Sequence, residues 1–184
     1  MHSQSVVAFR LTMRKLWEWH IVYTRNYILS ALANLKDDRK IAERLLSNQE
    51  GIGNAMKPFY GEKAGKRFST LLKDQIRIAA DIVTTAKTGN NDGMSTGEKK
   101  WHENADEIAD FLSGLNPNWT KEILADMLYK QIDFTTAEIV SRLKKDWAAD
   151  IEAYDKGYNY MMMFADALTD GIAKQFPEKV SDLA

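Results

Sequence analysis

The 184-residue chain is 45% hydrophobic and 28% charged, the balance of an ordinary globular protein long enough to bury a substantial core. A net charge of −1 lacks the basic footprint of a nucleic-acid binder, and no run approaches the roughly eighteen apolar residues of a membrane span. With no cysteine there is no disulfide framework, thiolate metal site or iron–sulfur cluster, and the opening Met1-His2-Ser3-Gln4-Ser5 lacks the basic-then-apolar order of a leader. The expectation is one cytoplasmic domain over residues 1–184, with neither nucleic acid nor membrane as partner.

The only prolines stand at positions 58, 117 and 177. Proline costs about 3 kcal/mol inside a helix, so this spacing leaves room for long ones. A first helix is predicted over 5–35, with Phe9, Met13, Trp17, His20, Ile21, Thr24, Ile28, Ala31 and Leu35 on one face. A second begins near Arg39, breaks over 47–54 at Gly51 and Gly53, and resumes as a short turn ending at Pro58-Phe59-Tyr60-Gly61. A third spans 62–87 with Phe68, Leu71, Leu72, Gln75, Ala79 and Ile82 aligned, and stops at a mobile Gly89-Asn90-Asn91-Asp92-Gly93 loop.

A fourth helix opens on the capping-box pattern Ser95-Thr96-Gly97-Glu98 and faces Trp101, Asn104, Ile108 and Leu112 inward. A short fifth covers 120–131. A long sixth, 135–176, carries Leu143, Trp147, Ile151, Tyr154, Met161 and Leu168 at near-heptad spacing, with Gly157 marking a bend. No stretch alternates polar and apolar as a strand does. The fold class that follows is all-α: an antiparallel four-helix-type bundle with additional short helices.

His20, Gln75, Asn104 and Gln131 each interrupt an apolar stripe, on four different helices. Burying such a group unpaired costs roughly 2 kcal/mol or more, so the four are expected to converge in a polar pocket walled by Trp17, Trp101, Trp147 and Tyr154. The first functional reading is therefore a binding protein that takes a small polar ligand there. A divalent metal on His20 and Asp155 is the variant of it. No Glu-x-x-His pair is present, and amides are weak ligands for Zn²⁺ or Fe²⁺.

The second reading is a structural or interaction bundle without a ligand, in which the polar residues only specify register and a surface around Trp19 and Tyr23 forms a homodimer. The third is an enzyme using His20 as acid or base, and it comes last because the chain offers no cysteine and no Gly-x-Ser-x-Gly elbow.

Four stretches also carry a resemblance. They are Leu16-Trp17-x-x-His20-x-x-x-Thr24-Arg25, Pro58-Phe59-Tyr60-Gly61, Trp101-x-x-Asn104-Ala105-Asp106-Glu107-Ile108-Ala109-x-Phe111-Leu112 with Asn116-Pro117-x-Trp119, and Ala165-Asp166 with Gln175-Phe176-Pro177. Together they resemble a family of small, all-helical, uncharacterised proteins of bacteria and archaea. Some members bear glycosyltransferase or acetylglutamate kinase labels, activities that require a nucleotide-binding α/β architecture this sequence lacks. The resemblance implies an all-helical fold and the place of the pocket. Similar proteins carry histidine where this chain has Gln75 and Gln131, which implies a three-histidine metal site of which only His20 is kept.

Overall fold

A computed structural model describes residues 4–181, and among them every regular element is a helix. These are α1 (Gln4–Leu32), α2 (Asp38–Lys87), α3 (Asn91–Leu115), α4 (Lys121–Leu143), α5 (Trp147–Gln175) and the short α6 (Pro177–Ser181). Buried side chains from all six join one core, in which Trp17, Phe68, Trp101 and Phe164 are the bulkiest of those fully shut off from water. The all-α bundle expected from periodicity is the fold observed.

α2 is two arms, 38–60 and 62–87, that meet at a corner at Gly61 (φ 85°, ψ 169°). Only glycine adopts that conformation at little cost. The arms fold back on each other: Ser69 Oγ donates to the Gln49 carbonyl (3.2 Å), and Lys73 pairs with Glu50. The expected break over 47–54 is absent. Gly53 and Gly65 are instead the point of closest approach, where a Cβ on Gly53 would lie 2.4 Å from the Gly65 carbonyl oxygen. The glycines that suggest a turn in the sequence are a helix-crossing contact in the structure.

The other boundary that moves is the fifth. α4 runs on to Leu143, and the chain turns at 144–146 before α5. Lys145 takes a left-handed conformation (φ 60°), and the Asp146 amide bonds back to the Ser141 carbonyl (2.9 Å), a helix stop normally built on glycine. Asp146 then caps α5 by accepting from the Ala149 amide (3.1 Å). Apolar spacing runs on through this turn, which is why it reads as one helix. As a result Leu143, Trp147 and Ile151 are 41%, 51% and 53% exposed instead of inward. Leu35, past the end of α1, is also exposed. Gly157 lies inside α5 against Phe134 and bends nothing that would end the helix. α3 starts a turn earlier than its capping-box pattern suggests, with Asn90 accepting from the Gly93 amide (2.9 Å).

Consecutive helices pack antiparallel, and α5 returns to lie against α1. At one end Tyr60 donates to Gln175 Oε1 (2.8 Å), accepts from Asn116 Nδ2 (2.9 Å) and packs on Trp119 and Phe176. Three of the four stretches behind the family resemblance thus meet here, in a structural closure of the bundle.

Gly53→Ala should destabilise the protein by about 1–3 kcal/mol, because the arms must part to admit one methyl group. Gly51→Ala, whose Cβ would meet only Leu16 at 3.4 Å, should be neutral or stabilising by up to about 1 kcal/mol. Urea denaturation of both variants measures the contrast.

Candidate ligand site in the bundle core

His20 is placed by α1, where Met13, Trp17, His20, Thr24 and Ile28 recur on the buried face. Its nearest polar partner is on the first arm of α2: Nδ1 lies 3.0 Å from Gln49 Oε1. Gln49 Nε2 donates to the Leu45 carbonyl (2.9 Å) and to Asn48 Oδ1 (3.3 Å), which orients its amide with the oxygen toward the ring. Nδ1 therefore carries the proton and donates, leaving Nε2 as the accepting nitrogen. Burial pushes the imidazole pKa down to about 4, against the opposing pull of Gln49, so the ring is neutral at pH 7.

Cross-helix contacts place the other expected residues along the same stretch of the core. Trp17 packs 5.5 Å from the His20 ring and 6.3 Å from Phe68, two turns from Gln75 along the second arm of α2. Asn104 Nδ2 donates to the Leu71 carbonyl (3.1 Å), one turn before Gln75. His102 of α3 stacks on Tyr129 of α4 (4.8 Å), which puts Gln131 beside the Trp101–Asn104 turn. Gln131 Nε2 donates to Thr135 Oγ1 (2.8 Å). His20, Gln75, Asn104 and Gln131 are each at most 7% exposed. No direct hydrogen bond joins His20 to the three amides.

The remaining side-chain polar atoms of Gln75, Asn104 and Gln131 have no partner among the described residues. Among the described residues, seven buried side-chain atoms are in that position. All but Thr136 Oγ1 belong to this layer: Trp17 Nε1, both ends of the Gln75 amide, Trp101 Nε1, Asn104 Oδ1 and Gln131 Oε1. The set offers indole and amide N–H donors together with three amide oxygens, and none of these groups is charged.

Two expected members lie elsewhere. Asp155 is exposed on α5 and is not among the groups acting on His20, so the structure does not assemble that pair. No group of three or more His, Asp or Glu side chains could hold a metal ion among the described residues. Trp147 is at the far end of the bundle, and Tyr154 covers Arg25 (4.6 Å) instead of the histidine. The Trp19 and Tyr23 surface expected to mediate dimers is half-buried, with the Arg44 guanidinium over both rings at 5.0 and 4.7 Å.

Sequence reasoning misses a second buried polar group. Arg25 Nη1 bonds to Glu138 Oε1 (2.7 Å) and Asp150 Oδ1 (2.9 Å), its Nη2 bonds to Asp150 Oδ2 (3.1 Å), and Arg142 Nη1 adds a further bond to Oδ2 (2.9 Å). Burial works to raise the Asp150 pKa, but hydrogen bonds from Arg25 and Arg142 outweigh it and hold it below the ordinary value. Burial prevails at Glu138 and pushes it up to about 7 despite Arg25. The available signal is the helical repeat on α4, where Leu128, Gln131, Thr135 and Glu138 share one stripe. The same test on a continuous first arm finds Gln49 between Leu45, Ile52 and Met56.

A scan of protein-family models, a search of curated proteins and a search of solved structures each returned no match.

The two shifted groups act on stability with opposite signs. Between pH 6.5 and about 4 the unfolded chain holds a proton on His20 that the folded protein lacks, so this term weakens the fold as pH falls. Between about pH 7 and 4.5 the folded protein holds a proton on Glu138 that the unfolded chain lacks, so this term strengthens the fold as pH falls. In wild type the two oppose each other from about pH 6.5 to 4.5. Glu138→Gln leaves the histidine term alone. Relative to wild type, its stability should fall toward acid with a slope of at most about 1.4 kcal/mol per pH unit, measured by urea denaturation across that window.

Proposed function

We propose that this chain is a helical-bundle binding protein that holds a small, uncharged polar ligand in the layer around His20. One observation carries the reading: six buried donor and acceptor atoms in this stretch of the core, contributed by α1, α2, α3 and α4, have no partner among the described residues. Each such group costs about 1–3 kcal/mol when left without a partner, against a total stability of about 5–15 kcal/mol for a domain. A polar guest would supply the missing partners for the whole set. His20 is neutral and the other members are amides and indoles, so the layer suits a molecule that presents both N–H or O–H donors and oxygen acceptors without net charge.

A divalent metal fits less well. Imidazole with neutral amides is a poor donor set for Zn²⁺ or Fe²⁺, and two of the unpaired groups are indole N–H donors that cannot ligate. A purely structural network fits less well still, because such networks stabilise register only when their members bond one another.

Native mass spectrometry set beside the denatured mass tests the proposal, with Gln75→Leu as control. The expected result is a stoichiometric extra mass on wild type that the variant loses, together with ligand-dependent thermal stabilisation. A bare polypeptide mass, with Gln75→Leu more stable than wild type by about 1 kcal/mol or more, is what removing an unpaired amide from a ligand-free core would give, and it would overturn the reading.

A further inference from the structure

The corner where α4 turns into α5 has the features of a second site, independent of the core layer. A surface cavity of about 290 Å³ opens there, with apolar walls from Leu29 and Leu32 of α1, Leu143 of α4 and Trp147 of α5. Arg142 and Lys145 stand on its rim. Trp147 is half exposed and Leu143 nearly so, which places two large apolar side chains in water beside two cations.

The cations are held differently from ordinary surface charges. The Arg142 guanidinium lies over the Trp147 ring at 5.0 Å and is fixed from below by Asp150. Asp150 also takes two hydrogen bonds from Arg25, so it is shared between two guanidinium groups and does not neutralise Arg142 alone. One Arg142 nitrogen is engaged, and the rest of its donor fork has no partner among the described residues. Its orientation is set in advance, which lowers the entropy cost of binding. The Lys145 ammonium has no ion-pair partner among the described residues, and its backbone sits at φ 60°, where glycine would be favoured. The nearest opposing charge along the chain, Asp146, is occupied in capping α5.

We propose that this corner binds a small organic carboxylate with an apolar body, the ring or short chain against Leu143 and Trp147 and the carboxylate between Arg142 and Lys145. An aromatic floor, aliphatic walls and a stacked arginine with spare parallel donors are the complement of such an acid. The cavity is too small for a peptide helix, and its two cations exclude an amine.

The test is titration of ¹⁵N-labelled full-length protein with phenylacetate and hexanoate, using phenylacetamide and hexanamide as uncharged counterparts. The expected result is saturable shifts at the Trp147 indole and the amides of 142–147 and 29–33, with each acid binding at least tenfold tighter than its amide. Trp147→Ala should abolish the response. Lys145→Gly should unfold at a higher temperature, since it relieves the left-handed lysine, yet bind the acids at least tenfold more weakly. A lysine retained only for structure could not produce that split. Equal binding of acids and amides, shifts centred elsewhere, or unchanged affinity in Lys145→Gly would overturn the proposal. So would association with anionic phospholipid vesicles when neither free acid binds.

Discussion

Arg25 ties three helices together at one height. Its guanidinium reaches from α1 to Glu138 on α4 and Asp150 on α5, and Arg142 closes the group from the other side. A buried ion pair of this kind contributes little net stability, because desolvating the charges offsets most of their attraction. Its effect is on alternatives. Sliding α5 by one turn would leave Asp150, which has no exposure to water, without its cations, at a cost of about 3–5 kcal/mol, and sliding α1 would take Arg25 from both carboxylates. The group therefore acts as a register pin in a bundle whose apolar faces alone would tolerate slippage.

That register determines what lies on either side of it. Toward the interior, Thr24 and Thr135 bond back to the carbonyls of their own helices, and a turn beyond them come His20 and Gln131. Toward the bundle end the same pin holds Arg142 under the α4–α5 corner and leaves Trp147 facing water. Polar residues thus run as a column along the inner faces of α1 and α4, neutral at the His20 level and charged at the Glu138 level. Glu138 stands at the junction, where burial brings its proton affinity near neutrality.

Much of this is legible in the sequence because helix faces repeat. His20, Gln75, Asn104 and Gln131 stand out against apolar neighbours at the right spacing, and all four are buried. The partner of His20 is not legible in the same way. Gln49 sits among Ser47, Asn48, Gly51 and Gly53, a composition that suggests a turn, yet small residues also allow two helix arms to cross closely. The α4–α5 turn escapes for the opposite reason. Nothing in Leu143-Lys144-Lys145-Asp146-Trp147 resembles a glycine stop, and the apolar spacing continues across it. Arg25 and Glu138 are obscured by charge itself, since long charged side chains are nearly always solvated and are buried only when paired. That pairing is a property of the tertiary fold.

The position of that unmarked turn separates the two proposed sites. Were α4 and α5 one continuous helix, Leu143, Trp147 and Ile151 would extend the apolar seam and Arg142 would have no rim to stand on. Breaking the helix after Leu143 turns those residues outward and sets a left-handed lysine beside them, while the His20 layer, beyond the Arg25 group, keeps only neutral polar groups. Recognition in the core must then rest on matched hydrogen bonds, which a low-dielectric interior makes costly to leave unmade. At the corner charge is available, but water screens it, so an apolar wall has to supply the rest. On the two proposals, one fold offers a site for a neutral polar ligand and another for an acid, and the Arg25 register lies between them.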